Sequence, residues 1–416
     1  MRVVSSSFGT FHMFDQALQL ERHGLLHRFI AGPPSQFAVK RGIPAAKVES
    51  LWLSFAIGYA QHLGKDFIPQ RINGKMLRSA HDQFSRSLAK RLPAETDVFI
   101  GLSSYCYEAI IEAKKRGTPA IVDHGSLHEE FARDVLMFEA SKYGFRISGN
   151  ATHDWLIEKQ KMEFEHANYI FALSHLAKRT MVERGVDADK IFVNHCGVSL
   201  EKFAPAKKAD QIFRIIFCGS VCPQKGVHYL LQAFGELHLP NSELWVIGST
   251  DSVRDDPYFA GFLKMHSGPN VYFKGVVNGG MLASMFSQGS VFVLPSLADG
   301  FGMVVSQAMA CGLPVVVTQS TGAADLVTEE VNGFIVPSKD VKALKAKLLF
   351  LYENQDIAVQ MGMYALESVA SGQTWDDYGE RLAKFLYGLS AATLNPKKDS
   401  LLATELVNRH NDRLDA

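Results

Sequence analysis

One short stretch, PSLADGFGMVVSQAMACGLP, constrains the fold of this chain most strongly. An apolar, β-branched run of strand length, Val291 to Leu294, precedes it, and a second such run, Pro314 to Val317, follows its helix-length middle. The pattern predicts one strand–loop–helix–strand unit. Gly300 and Gly302 fall where the strand gives way to the helix, and Gly312 marks the helix end. Strand and helix patterns alternate along the rest of the chain, which predicts parallel sheets covered by helices.

The glycines of this unit also indicate a ligand. Glycine at a helix N-terminus lets bare backbone N–H groups approach an anion, and the helix dipole favours negative charge there. Asp299 precedes the glycines, and Gln307 lies eight residues later, about two helical turns on. Both side chains can hydrogen-bond hydroxyl groups. The stretch therefore predicts a site for a molecule that carries phosphate and sugar.

The same residues resemble the signature of the family 4 retaining glycosyltransferases (glycosyl transferases group 1), a Glu, seven residues and a second Glu around a GFG loop. The resemblance implies an α/β protein of the GT-B fold, with two Rossmann-like doubly wound domains facing across a cleft. In the family the first acid contacts the donor sugar and the second contacts the ribose, roles that pass to Asp299 and Gln307. These two departures bear on donor-sugar preference more than on the activity class. The loop residues implied as donor contacts are Gly300, Phe301, Gly302 and Met303.

A lysine behind a second strand pattern fits the same ligand. Arg214 to Gly219 reads as a strand, and Lys225 stands at the start of the following helix, where a cation can neutralise a diphosphate. The family has an Arg and a Lys here; Lys225 matches the Lys, and Ser220 replaces the Arg. The resemblance adds further donor contacts, namely Gly9 in the first strand–helix loop, Val276 and Val277 at the base, and Thr321 and Gly322 beside sugar or phosphate.

Two histidines follow the strand Pro119 to Val122, in the loop DHGSLH. Functional side chains in open α/β sheets gather at the carboxyl ends of strands. In many family members a histidine of this loop reaches the donor sugar near the reacting carbon. His124 comes directly after the strand, whereas His128 matches a subgroup with the order Gly, Ser, any residue, His; we favour His128 and keep His124 as the alternative. With Asp299, these form the predicted catalytic set.

Composition limits the remaining possibilities. The 416 residues carry no formal net charge and are 47% hydrophobic, which predicts a globular chain and not a nucleic-acid binder. Five scattered cysteines do not form a disulfide pattern and fit a reduced cytoplasm. The amino terminus lacks a signal-peptide core. We expect a cytoplasmic enzyme with no cofactor and no metal; the one Asp-x-Asp triplet, Asp187 to Asp189, precedes a strand and so lies opposite the expected cleft.

The segment from Lys40 to Arg91 carries an excess of positive charge, although the chain as a whole has no formal net charge. It holds ten Lys or Arg against Glu49, Asp66 and Asp82, and it includes the apolar stretch Leu51 to Leu63. A basic surface of this kind is either a peripheral contact with the inner face of a membrane, for a lipid-linked acceptor, or a set of solvated helix faces. Both interpretations stay open at this point.

The expected organisation is an acceptor-side domain over residues 1–205 and a nucleotide-sugar-binding domain over 206–375. A helix at 376–392 is expected to cross back to the first domain, before a mobile tail at 393–416. The predicted reaction is metal-independent transfer of a sugar, as by a hexosyltransferase, from a nucleotide diphosphate sugar to a hydroxyl of a glycan, a lipid-linked acceptor or a small molecule, with retention. Two alternatives on the same fold are a catalytically silent sugar-nucleotide-binding protein and a nucleotide-sugar epimerase or phosphorylase.

Overall fold

The computed structural model describes residues 1–64, 70–146 and 153–394, and it contains two parallel sheets. The first sheet has seven strands in the order β3-β2-β1-β4-β5-β6-β7, and the second has six in the order β10-β9-β8-β11-β12-β13. The strands are β1 (Val3–Ser7), β2 (Leu26–Ala31), β3 (Val48–Ser50), β4 (Val98–Leu102), β5 (Ala120–His124), β6 (Tyr169–Ala172), β7 (Ile191–Val193), β8 (Phe213–Cys218), β9 (Ser242–Ile247), β10 (Val271–Gly275), β11 (Val291–Leu294), β12 (Val315–Thr318) and β13 (Gly333–Val336).

Helices connect the strands and cover both sheets. They are α1 (Met13–Arg22), α2 (Gln36–Val39), α3 (Trp52–Gly64), α4 (Gln70–Arg91), α5 (Tyr107–Lys115), α6 (Glu129–Tyr143), α7 (Asp154–His166), α8 (His175–Val182), α9 (Val227–Leu237), α10 (Asp251–Arg254), α11 (Pro257–His266), α12 (Gly279–Phe286), α13 (Met303–Ala310), α14 (Val341–Glu353), α15 (Gln355–Ala370) and α16 (Trp375–Leu394). Because both faces are covered, the central strands are buried along their whole length and are mostly apolar: β8, β11 and β12 are buried at every residue. The expected two-domain α/β architecture is confirmed.

The segment from 26 to 95 is more regular than its sequence suggests. The sequence analysis predicts no strand there, yet β2 and β3 extend the first sheet at its edge, and α3 and α4 pack against each other. β3 is only three residues long, and each of them is half-buried. A strand this short has no alternation to detect, which is why sequence reasoning missed it.

The last helix returns to the first sheet. Tyr378, Leu382 and Leu386 of α16 are buried in the same apolar cluster as Phe14 of α1. Tyr378 also accepts a hydrogen bond from the Gln16 amide at 2.9 Å. The predicted tail begins within α16, and its residues from 395 onward lie outside the described residues.

The carboxyl ends of the two sheets meet at a narrow seam. A Cβ added to Gly300, after β11, would lie 2.6 Å from Ser126 Cα and 3.0 Å from the Gly125 carbonyl oxygen, after β5. The Ser174 hydroxyl donates to the Gly300 carbonyl at 2.6 Å across the same seam. A side chain at Gly300 would therefore push the two domains apart.

A second connection runs from the carboxyl end of α6 into the second domain. Glu139 is fully buried there, and its Oε1 accepts hydrogen bonds from Tyr229 Oη at 2.6 Å and His228 Nε2 at 2.9 Å. Burial alone would raise the pKa of Glu139, but these bonds and the Lys339 charge hold it below its ordinary value. Phe145 then enters the core of the second sheet. We call residues 139–146 the strap.

Candidate active site

The centre of the predicted site is an ion pair between two elements of the second domain. Lys225, in the 3-10 turn after β8, places Nζ 2.5 Å from Oδ2 of Asp299, which follows β11. Burial would lower the pKa of Lys225, but the Asp299 carboxylate raises it, so the ammonium stays charged. The Ser296 hydroxyl donates to the same Oδ2 at 3.4 Å. The Lys225 ammonium is therefore a fixed positive charge at the carboxyl edge of the second sheet.

Backbone hydrogen bonds fix the loop that carries Asp299. Asp299 N donates to Ser320 O at 3.0 Å, and its carbonyl accepts from Gly322 N at 2.9 Å. Gly302 has φ +84°, a left-handed conformation that favours glycine, and α13 begins directly after it. The loop thus presents the N-terminus of α13 beside the Lys225–Asp299 pair, an arrangement suited to an anion.

Other predicted donor contacts lie on the same edge. Thr321 is fully buried and forms a β-bridge with Asp299, which brings Thr321 and Gly322 against the loop. Phe301 is buried, whereas Met303 and Gln307 of α13 are half-buried.

The remaining predicted contacts lie on neighbouring loops. Ser220 is exposed in the loop after β8. Val276 is 77% exposed and Val277 half-buried after β10. Gly9 lies in the loop after β1, where its carbonyl accepts from the Ser7 hydroxyl at 2.7 Å. Their ligand roles stay predictions.

The two predicted histidines are both buried in their own loop. His124 Nε2 is 3.1 Å from the Leu127 carbonyl oxygen, and its ring packs edge-on against Phe164. His128 caps α6: its Nδ1 accepts from Glu130 N at 3.3 Å. Burial lowers the pKa of each histidine to about 4, so both are neutral near pH 7. Each histidine is held by the first domain, and contact with a donor sugar stays a prediction for either one.

A third histidine, which sequence reasoning missed, packs against Gly125 at the seam. His12 Nε2 is 2.6 Å from Asp123 Oδ1, and a Cβ added to Gly125 would lie 3.1 Å from the His12 ring. The Gln16 amide donates to Asp123 Oδ2 at 2.7 Å, so both carboxylate oxygens are satisfied. Asp123 is the first residue of the DHGSLH stretch and lies near the carboxyl end of β5, but nothing in the sequence connects it to His12, 111 residues earlier. The pair arises only because β1 and β5 both flank β4.

We expect the His12–Asp123 pair to make stability depend on pH. Burial alone would lower the pKa of His12, but Asp123 raises it above the ordinary 6.5. The pair's contribution is therefore complete below the unfolded-state pKa and is lost as pH rises through the folded-state pKa. In urea unfolding between pH 5.5 and 8.5, from about one pH unit below to about two units above the ordinary histidine pKa, the stability difference between wild type and His12→Gln should shrink as pH rises. A pH-independent difference would contradict a charged pair.

The buried neutral histidines provide a control, because their contribution to stability should change with pH in the opposite direction. The pKa of His81 is lowered to about 4 by burial, as are those of His124 and His128. A histidine with a depressed folded-state pKa loses its contribution as pH falls below 6.5. The difference between wild type and His81→Gln should therefore shrink toward acid pH, not toward alkaline pH.

Two parallel sheets that meet at their carboxyl ends, with an ion pair and a glycine-rich helix start at that edge, define an α/β protein of the GT-B class. Comparison with known proteins agrees. Residues 199–368 match the family model described as glycosyl transferases group 1. The capsular polysaccharide biosynthesis glycosyltransferase CapM of Staphylococcus aureus is 33% identical over 319 residues, 70% of this chain and 81% of CapM. The chain therefore belongs to the group 1 glycosyltransferase family.

Other relatives match over shorter lengths. The uncharacterized glycosyltransferase MJ1607 of Methanocaldococcus jannaschii is 36% identical over 30% of this chain and 32% of its own length. Among solved structures, sucrose-phosphate synthase of Thermosynechococcus elongatus has a TM-score of 0.67 at 19% identity, covering 94% of this chain and all of that chain. Anabaena HepE in complex with UDP and glucose has a TM-score of 0.66 at 15% identity, covering 93% and 99%. These structures support the fold.

Proposed function

We propose that the protein transfers a sugar from a nucleotide diphosphate sugar to a hydroxyl group with retention at the anomeric carbon. The observation that carries this proposal is the Lys225–Asp299 pair at the N-terminus of α13. Lys225 offers charge to a leaving diphosphate, and Asp299 offers an acceptor to sugar hydroxyls. Family membership supports sugar transfer, and the retaining outcome follows from the resemblance to family 4.

In this mechanism the protein stabilises a leaving diphosphate and an oxocarbenium-like sugar. Lys225 and the N–H groups at the start of α13 stabilise the departing charge, and Gln307 contacts the ribose. Such fixed charges and dipoles act without reorganisation during the reaction. The proposed chemistry uses no divalent ion and no cofactor at the diphosphate. The acceptor approaches from the first domain, beside His12 or the His124–His128 loop.

Relatives guide the choice of substrates to test. HepE has been solved with UDP-glucose, and TarM with UDP and α-GlcNAc-glycerol. A GDP-mannose-dependent mannosyltransferase of Mycolicibacterium smegmatis is 27% identical over 46% of this chain. We therefore propose a UDP- or GDP-linked hexose as donor and a saccharide, free or lipid-linked, as acceptor.

A donor panel followed by two variants tests the proposal. Ligands that bind only the folded protein raise its melting temperature, so we expect one nucleotide and its sugar to stand out. Gln307→Ala should weaken binding of that nucleotide, with or without the sugar. Asp299→Ala should slow transfer while free nucleotide still binds, because contacts made mainly in the transition state appear in the rate. Gln232→Ala is the matched control, because Gln232 is a half-buried glutamine of α9 that bonds Glu236 within its own helix.

The outcome also separates the alternatives. A silent binding protein would show the melting shift with no donor hydrolysis and no transfer. An epimerase would convert donor without acceptor, and a phosphorylase would require inorganic phosphate. Inversion at the anomeric carbon of the product would contradict the retaining mechanism.

We also propose that α3 and the start of α4 contact an anionic membrane. Trp52 and Tyr59 of α3 are 60% and 54% exposed, and Arg78 of the adjacent helix α4 is exposed as well. Ion pairs reduce the charge of the basic segment, since Arg91 pairs with Glu49, Arg86 lies 3.7 Å from Glu108, and Arg78 itself lies 3.8 Å from Asp82. Within the described residues, no helix is long and apolar enough to span a bilayer.

Vesicle sedimentation tests the membrane contact. Pelleting with phosphatidylserine vesicles should fall as salt rises and should drop when Lys65, Arg71, Lys75 and Arg78 are changed to Gln. The structure does not describe Lys65 or the side chain of Arg71, so these two rest on the sequence alone. Lys114→Gln with Lys115→Gln on α5 is the control. Absence of pelleting at low salt would leave solvated helix faces as the explanation.

A further inference from the structure

Three metal-ligating side chains converge at the seam between the two domains. His175 begins α8, His195 follows β7, and Asp325 lies in the 3-10 turn Gly322–Leu326 of the second domain. One ligand atom from each residue lies within 4.8 Å of the other two. We propose that these residues bind a divalent transition metal, zinc being the best fit. This inference is independent of the proposed sugar transfer.

The geometry requires only small movements to accept the ion. Zinc bonds of about 2.0–2.1 Å in a tetrahedral site place ligand atoms about 3.4 Å apart. His195 Nε2 is 2.9 Å from Asp325 Oδ2, and the rings of His175 and His195 have centroids 5.9 Å apart. His175 N donates to Asp325 Oδ2 at 2.7 Å, which orients the carboxylate. Two imidazoles with one carboxylate form a donor set that zinc commonly takes.

The site opens onto a cavity, which leaves a place for a fourth ligand. This cavity has a volume of about 420 Å³, and its lining includes His175, Arg179, Gln319, Thr321 and Asp325. Three protein ligands and an accessible fourth position are typical of a metal site that also holds water or a small anion. Arg179, which also lies 3.9 Å from Glu183, adds positive charge to the cavity lining and so favours an anion there.

Binding here would link the seam to the donor loop. The His195 ring stacks on Phe301 with centroids 5.9 Å apart, and Ser174, next to His175, bonds the Gly300 carbonyl. His175 and His195 come from the first domain, and Asp325 comes from the second. A shared ion would therefore hold the domains together at this edge.

Metal binding to the full chain tests the proposal. Chelator-treated protein is titrated with zinc by calorimetry and with cobalt by visible absorption, which reports tetrahedral coordination directly. We expect one ion per chain, a rise in melting temperature with zinc, and affinity weakened at least about tenfold by His175→Ala and by Asp325→Asn. His166→Ala is the control, because His166 is a half-buried histidine outside the site that bonds within its own helix.

The half-buried position of His175 makes its variant the decisive one. Circular dichroism and the melting temperature without metal establish that His175→Ala is folded, and His175→Gln serves in its place if it is not. Zinc affinity and a cobalt spectrum unchanged in the folded His175 variant would overturn the site, as would failure of the wild-type chain to bind zinc at one ion per chain.

Discussion

Phe145→Ala is expected to destabilise the protein by about 3–5 kcal/mol, the cost of truncating a buried aromatic side chain. Phe145 is 5% exposed, and its ring packs against Phe259 and Phe262 of α11 at centroid distances of 5.1 and 5.9 Å. Truncation leaves a cavity in the second domain although the residue follows a helix of the first. Urea unfolding should therefore show a lower midpoint, and hydrogen exchange should become faster in α11.

The strap explains why this effect should reach both domains. Arg146 N donates to Asp256 Oδ2 at 2.6 Å, and Glu139 is buried among groups of the second domain. Loss of Phe145 weakens the anchor between these two contacts. A separate unfolding transition for each domain, where wild type has one, would be the clearest sign of uncoupling.

Met137→Ala provides the control on the same helix. Met137 is 55% exposed on α6, so its truncation should change stability by no more than about 0.5 kcal/mol. If Phe145→Ala behaves like Met137→Ala, the strap does not contribute to domain packing.

The second domain could be predicted well because its signals are local. The strand Val291–Leu294 and the helix end at Gly312 depend on runs of apolar residues and on single glycines, and the structure has them where the sequence indicates. The pairing of Lys225 with Asp299 was not visible, since 74 residues separate them. Parallel order placed β8 beside β11 and brought the two side chains together.

The first domain shows where local reasoning stops. Its loop DHGSLH predicts two candidate histidines, and the structure shows that both are buried; the pairing of Asp123, at the end of the preceding strand, with His12 was not predicted. Whether a loop side chain faces the cleft or the core depends on the neighbouring elements, here Phe164 of α7. No spacing within the loop carries that information.

Lys225→Met is expected to weaken binding of nucleoside diphosphate by about 1.5–3 kcal/mol, the range for a lost charge-assisted hydrogen bond. The transfer rate should fall as well, because charge on the diphosphate grows as it leaves. Calorimetry with the nucleotide found in the donor panel gives the first quantity, and initial rates give the second. Lys264→Met, on α11, is a control outside the predicted donor contacts.

Asp299→Asn should act on the same cation in the opposite direction. Before donor binds, the ammonium of Lys225 lies 2.5 Å from the Asp299 carboxylate, so diphosphate must share or displace that partner. With a neutral Asn, Lys225 is released for the diphosphate, and free nucleoside diphosphate should bind at least as tightly as to wild type. Transfer should still slow, since the sugar loses its contact. Because the two residues touch, the effects of the two substitutions on nucleotide binding should not add in the double variant. Unchanged nucleotide binding in Lys225→Met would show that Lys225 is not part of the donor site.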